Sequence, residues 1–305
     1  MNTVAHRTTP TMPPRLRWLA VLIAGLVLFG AIGAVTLSTG DPIFLPCLLL
    51  LGAAIVPVTL STFVSEAEPT HLSLASILTA AVLGGVLGGI LAGLLEFDTA
   101  RTLGGLPFSM VAVIEECAKL AVLAAFLVWR HPRLRTVDGL VLGVAVGSAF
   151  AAVETMGYGF VMLLRTGGNL LSVDDLLALR ALSSLGGHAA WTGLACAALF
   201  AVPSARRRAL GWLRFFAVLI GVISLHAGWD SAAGGGYDDL ALGLVSFAAL
   251  MALTWSLRRA ARGSLEPPKG VDHSLTAWIR HAPGAPPSTS RSLAGAPVAG
   301  AVGGR

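Results

Sequence analysis

The segment 107–129, PFSMVAVIEECAKLAVLAAFLVW, is an apolar run of membrane-spanning length that carries Glu115, Glu116 and Lys119 in its middle. One charged side chain at the centre of a bilayer helix costs at least about 2.5–3.5 kcal/mol on insertion scales. At about 100° per residue, Lys119 lies angularly between the two carboxylates and about one turn further along, so it can pair with either. The segment therefore predicts a helix that turns a polar site toward other helices.

The composition of the whole chain is that of a membrane protein. Of its 305 residues, 55% are hydrophobic and only 12% are charged, about half the charged fraction of a soluble domain. Eight apolar runs are long enough to span a bilayer. They cover residues 18–38, 43–64, 74–95, 107–129, 137–163, 179–201, 211–232 and 239–257. We therefore expect an all-α fold, a polytopic membrane helix bundle of about eight transmembrane helices.

The arginines at the span ends predict the orientation. Thirteen fall on one side of the membrane, and only Arg101, Arg165 and Arg180 fall on the other. The positive-inside rule then places both termini in the cytoplasm. The net charge of +5 is explained by this topology, so we expect a multi-pass protein of the cell membrane that does not bind nucleic acid.

Composition divides the chain into three parts. Residues 1–17 are predicted to be a cytoplasmic N-terminal segment and residues 18–257 the membrane domain. The remainder, 258–305, is poor in large apolar residues and is expected to be a disordered cytoplasmic tail. We interpret the first apolar run as a membrane helix because it exceeds the length of a signal-peptide core, about 7–15 residues.

Polar residues inside the later spans lie at similar depth. Glu154 is in the fifth span, His188 in the sixth, and His226 and Asp230 in the seventh. Counted from the outer span ends at 1.5 Å per residue, Glu115, Glu154, His188 and His226 lie about 9–14 Å deep. We therefore expect one site in the outer half of the membrane. Carboxylates at the span ends, Glu66, Glu68 and Glu96 among them, are read as solvated residues.

The charge of this group restricts its chemistry. Four carboxylates and one lysine leave three negative charges if both histidines are neutral, which the membrane interior does not tolerate without protons or a cation. Two histidines with a glutamate form a familiar zinc ligand set, and a further glutamate can act as general base. Structural ion pairs and helix-packing hydrogen bonds remain alternative explanations of the same residues.

The motifs on these spans resemble those of the PrsW intramembrane proteases, which share a superfamily with the CAAX prenyl endopeptidases. The family's EExxK is matched by EECAK (115–119) and its FxxxE by FAAVE (150–154). The histidine motifs are similar to GGHAAWTG (186–193) and HAGWD (226–230). The resemblance covers about residues 107–232. It departs from common patterns at Glu154, a histidine in prenyl endopeptidases, and at Asp230, often an asparagine.

The resemblance implies a membrane-embedded peptidase with Glu115 and Glu116 as the catalytic doublet. The type member cuts a membrane-anchored anti-sigma factor on its extracytoplasmic side, so the expected substrate is a single-span membrane protein. We expect Glu154, His188 and His226 to hold a divalent metal, zinc by preference, or to position water, with Asp230 as fourth ligand or as support for one. Lys119 would keep its partner ionised and help to stabilise the oxyanion.

Two other functions use the same residue types. A transporter could relay protons or metal ions through the cluster, but the inner halves of spans four to seven, such as LAVLAAFLVW (120–129), are almost free of polar residues. No inverted repeat is visible either. A non-catalytic membrane scaffold that merely buries an ion-pair cluster is also compatible with the sequence.

Overall fold

A computed structural model describes residues 16–68, 70–130, 135–232 and 237–265, and all the regular structure in them is helical. The helices are α1 Arg17–Thr39, α2 Leu45–Ala67, α3 Leu74–Val82, α4 Gly88–Leu103, α5 Phe108–Arg130, α6 Thr136–Arg165, α7 Leu170–Ser183, α8 His188–Ala201, α9 Arg208–Ala232 and α10 Tyr237–Leu265. Within the described residues, six helical segments are long and apolar enough to cross a membrane. The predicted all-α polytopic bundle is confirmed.

The third predicted span is one continuous helix built from two pieces. A π-helical turn, Leu83–Leu87, joins α3 to α4, so the helix runs from Leu74 to Leu103 and exceeds its predicted end. A β-carbon at Gly84 would lie 2.6 Å from a methyl group of Val146, so the glycine allows this turn to press directly on α6.

The sixth span, predicted as one helix over 179–201, is instead broken into α7 and α8. Gly187 has φ −87° and ψ −137°, which is outside the helical region. Gly186 lies so close to the backbone of Gly243 in α10 that a side chain there would overlap its carbonyl group. This close approach requires a glycine at position 186, and the non-helical backbone of Gly187 separates the two helices. As a result, His188 is the first residue of α8.

α6 is the central helix, and a ladder of small residues on it, Gly139, Gly143 and Gly147, packs against α8. A β-carbon at Gly143 would lie 2.5 Å from the carbonyl oxygen of Thr192. One at Gly147 would overlap the backbone of His188. The ladder thus brings the two backbones into direct contact, as small residues do in lipid. α1, by contrast, has a single buried residue, Thr36, and packs mainly on α2.

The end of α10 corrects two predictions. Residues 258–265 are helical rather than disordered, because Arg258 Nε donates a 2.9 Å hydrogen bond to the carbonyl oxygen of Ala67 and lies 3.6 Å from Glu68 Oε1. Glu68 is therefore a buried residue and not a solvated one. The compact unit ends at Ala261, and the second unit is described only to Leu265. The rest of the predicted tail and residues 1–15 lie outside the described residues.

Candidate active site

Lys119 lies at the centre of a buried polar cluster. Its ammonium nitrogen is 2.7 Å from Glu116 Oε1, 3.4 Å from Glu115 Oε2 and 2.9 Å from His188 Nδ1. The Phe150 ring covers it, with the centroid 4.0 Å away. An ammonium has three protons to donate, and here each has an acceptor. The helical spacing of EECAK therefore holds both carboxylates on one cation.

His188 connects this cluster to Glu154. Its Nδ1 accepts from Lys119, so Nε2 carries the proton and donates it to Glu154 Oε2 at 2.8 Å. The helix break explains why this is possible, because it places the imidazole at the start of α8 beside α5 and α6. The ring is held on both nitrogens, so its orientation and tautomer are both determined.

His226 lies beside the same glutamate doublet on the other side of the cluster. Its Nδ1 lies 3.1 Å from Glu116 Oε1, while Nε2 is 3.7 Å from Glu115 Oε2 and 3.5 Å from Asp230 Oδ2. Trp191 stacks on the ring at a centroid distance of 4.4 Å and donates from Nε1 to Ser246 Oγ. The aromatic stack thus limits the rotation of His226 as the hydrogen bonds do for His188.

The two glutamates of the doublet differ in what they can reach. Glu116 has no exposed side-chain surface, and its oxygens are engaged by Lys119 and by the hydroxyl of Thr192 at 3.3 Å. Glu115 lines an open cleft of about 350 Å³ between α4, α5 and α6. Glu115 is therefore the member of the doublet that a substrate can approach.

The seven residues predicted for the site come together, and the structure adds Arg180. It was predicted to be a charge at the outer membrane boundary. Its Nη2 instead donates to Glu154 Oε2 at 2.8 Å, and its Nε donates to Thr155 Oγ1 at 2.9 Å. An arginine inside the apolar pattern LLALRAL (176–182) was the available signal. With Arg180 included, the cluster of four carboxylates carries two negative charges rather than three.

Glu96 is a second residue that the sequence did not assign to the site. It was read as solvated, but it lines the same cleft as Glu115 and Glu154. The other walls of the cleft are apolar or glycine. Its spacing from Gly89 and Gly93 on one face of α4 was the only sequence signal.

The donor atoms suit a divalent metal ion. Glu115, His188 and His226 each offer one ligand atom, and these atoms lie within 4.8 Å of one another. Oxygen and imidazole nitrogen are the donors that zinc takes, and the two negative charges that remain when Glu96 is left out of the count match one divalent ion. Glu154 and Asp230, predicted as ligands, are not in this group: Glu154 bonds Arg180 and His188, and Asp230 stands beside His226.

Comparison with known proteins agrees with this chemistry. The model of the PrsW family of intramembrane metalloproteases matches residues 68–255, which is more than half of the chain. No curated protein and no solved structure matches the chain. The matched region includes every helix that contributes a residue to the cluster. The chain is thus a multi-pass integral membrane protein, and it belongs to the PrsW family of intramembrane metalloproteases.

Proposed function

We propose that the protein hydrolyses a peptide bond in a single-span, membrane-anchored protein near the extracytoplasmic side of the membrane. The proposed substrate resembles an anti-sigma factor. The observation that carries the proposal is the position of Glu115. It is near both histidines and also lines a cleft with apolar walls. A membrane helix that unwinds near its outer end could place an extended segment in that cleft.

We assign Glu115, His188 and His226 as the residues that would hold the metal, with zinc as the ion. When bound, zinc would supply Lewis-acid activation of the attacking water. Each histidine pairs one nitrogen with a carboxylate, Glu154 or Glu116, and turns the other nitrogen toward Glu115. Carboxylates in this position orient a metal-binding imidazole and strengthen its basicity. A cation at His188 Nδ1 would replace the hydrogen bond that Lys119 donates to this nitrogen. Lys119 would retain its ion pair with Glu116.

Glu154 is the proposed proton acceptor. Both hydrogen bonds that described residues make to it fall on Oε2, so Oε1 is free to accept a proton from water in the cleft. The same carboxyl group would then return the proton to the leaving amine. Arg180 keeps the carboxylate ionised before the reaction and fixes its position.

Lys119 and Glu116 are proposed as positioning residues. The Lys119 ammonium is directed to Glu115, Glu116 and His188 and is covered by the Phe150 ring, so we assign it to holding these groups in place. The sequence had instead predicted that Lys119 helps to stabilise the oxyanion and that Glu116 belongs to the catalytic doublet. A transporter is disfavoured by the apolar core next to the cluster, formed by Leu120, Leu123, Leu142 and their neighbours, which offers no polar path onward.

The test is co-expression with a panel of tagged single-span membrane proteins, comparing the wild type with Glu115→Gln at equal protein level. Asp98→Asn, an exposed change beyond the cleft on α4, is the matched control. Cleavage by the wild type and by Asp98→Asn, with none by Glu115→Gln, is expected. Equal processing by all three proteins would contradict the proposal and would favour a scaffold.

A further inference from the structure

Glu96 is the cleft carboxylate with an oxygen that no described residue reaches with a hydrogen bond. Its Oε1 is buried and has no hydrogen-bond partner among the described residues. The other two carboxylates of the cleft are engaged, Glu115 by Lys119 and Glu154 by Arg180. A buried carboxylate oxygen without a donor costs free energy until a donor reaches it.

We propose that Glu96 determines specificity by pairing with a lysine or arginine of the substrate, next to the bond that is cut. The inference rests on the proposed peptidase function, because it concerns the same cleft. It adds the class of substrate: an apolar membrane segment that ends in a basic side chain at the outer boundary.

The face of α4 leads an extended chain toward this carboxylate. Gly89, Gly93 and Glu96 are spaced four and three residues apart and so share one side of the helix. A β-carbon at Gly93 would meet no atom within 4 Å, so open space lies over it. Val86 and Ile90 line the same cleft and are exposed, which suits an apolar segment. The groove thus accepts apolar residues first and presents Glu96 at its end.

The charges around the cleft select a cation. Glu96, Glu115 and Glu154 all line the cleft, and on Glu96 the repulsion from Glu115 and Glu154 exceeds the opposing effects of Lys119 and His188, so a negative side chain entering here would be repelled. A neutral side chain would leave Glu96 without a charge partner. A lysine or arginine would satisfy it in a partly buried place, where charge pairs are stronger than in water. We expect a preference of about tenfold over glutamine, equivalent to about 1.4 kcal/mol.

A lipid headgroup could offer the same chemistry, since ethanolamine lipids carry an ammonium group. The two sources predict different results. A substrate cation makes the effect of Glu96 depend on the substrate residue, whereas a lipid ammonium makes it the same for every substrate.

The probes are three single-span reporters with one leucine–alanine membrane segment, differing by lysine, glutamine or glutamate at its outer end. Capture is measured in the full-length Glu154→Gln protein by crosslinking from position 90, and cleavage is measured in the wild type. The lysine reporter is expected to crosslink about tenfold more than the glutamine reporter and to be cleaved fastest. Adding Glu96→Gln should reduce that ratio to near one, and Glu96→Lys should favour the glutamate reporter.

Each outcome decides the inference. Equal capture of the three reporters, capture of none, or a lysine preference that survives Glu96→Gln would overturn it. A uniform loss with Glu96→Gln would assign the carboxylate to a lipid headgroup and would overturn it too. Selective capture of the lysine reporter without any cleavage would support the inference and contradict the peptidase function, so the two can fail separately.

Discussion

His188 Nε2 lies 2.8 Å from Glu154 Oε2, across 34 residues of sequence and between two different helices. This bond gives Glu154 two tasks in the proposed mechanism, since one oxygen orients the imidazole and the other faces the cleft. Glu115 has one task in that proposal, to bind the metal. The two glutamates should therefore respond differently to the same substitution.

We expect Glu154→Gln to lower the rate of cleavage by about 10²–10⁴-fold, the usual contribution of a general base. Glutamine still accepts the His188 proton, so the loss of metal affinity should be about tenfold or less. Glu115→Gln should lose the metal as well as the activity. Metal content of the purified proteins and reporter cleavage are the two measurements. If Glu115→Gln keeps its full metal content while inactive, the assignment of roles is wrong.

Lys119 and Glu116 form an ion pair at 2.7 Å with neither side chain exposed. Lys119→Met should lower the free energy of unfolding by about 3–5 kcal/mol, because it leaves a buried carboxylate without its cation. Adding Glu116→Gln should restore part of this loss, since the unpaired charge is removed. Unfolding of the detergent-solubilised proteins gives the coupling between the two changes. Additive losses would show that the pair is not coupled.

Gly147 on α6 touches the backbone at the start of α8. A methyl group there would lie 2.7 Å from the carbonyl carbon of His188, and a backbone cannot yield as a side chain can. Gly147→Ala is therefore expected to displace His188, to abolish cleavage and to cost about 1–3 kcal/mol in stability.

The matched control is Gly157→Ala on the same helix, where a β-carbon would meet nothing within 4 Å. It should keep full activity and gain about 0.5–1 kcal/mol from helix propensity. Indistinguishable behaviour of the two variants in reporter cleavage and thermal unfolding would contradict the packing argument.

Much of the site could be predicted because membrane helices restrict it. Depth along a helix follows from residue count, so Glu115, Glu154 and His188 could be placed in one layer from sequence. Which of Glu115 and Glu116 faces the cleft could not, since the two differ only by their angle on α5. That angle acquires meaning only from the helices packed around it.

The features that were missed depend on contacts distant in sequence. The break before His188 follows from the approach of Gly186 to Gly243 in α10, and a glycine pair inside an apolar run does not by itself reveal it. Arg180 and Glu96 stood at predicted span ends, where charges are usually solvated. Only the tertiary arrangement shows that one pairs with Glu154 and that the other lines the cleft.

Glu68 predicts a pH dependence of stability. Burial raises the pKa of this carboxyl above its ordinary value of 4.5, and the charge of Arg258 offsets only part of the effect. The folded protein then holds the proton more tightly than the unfolded chain. This group's stabilising contribution is therefore complete below pH 4.5 and is lost as the pH rises through the raised value.

Glu68→Gln should remove the pH-dependent contribution of this carboxyl group to stability. The free energy of unfolding of the variant should therefore exceed that of the wild type most clearly at neutral pH. Unfolding measured from pH 4 upward, with Glu66→Gln as control, tests it. A gap between variant and wild type that does not change with pH would contradict the prediction.

A substitution at Gly93 can test the cleft without disturbing the fold. A β-carbon there would enter open space and touch no protein atom within 4 Å. Gly93→Leu should therefore fold normally but fill the cleft, and we expect reporter cleavage to fall by about tenfold or more. Metal content should not change, since Glu115, His188 and His226 are untouched. Gly221→Leu, equally open and on α9 away from the cleft, should cleave as the wild type does. If both leucine variants keep full activity, the substrate does not enter between α4 and α6, and the cleft is not its binding site.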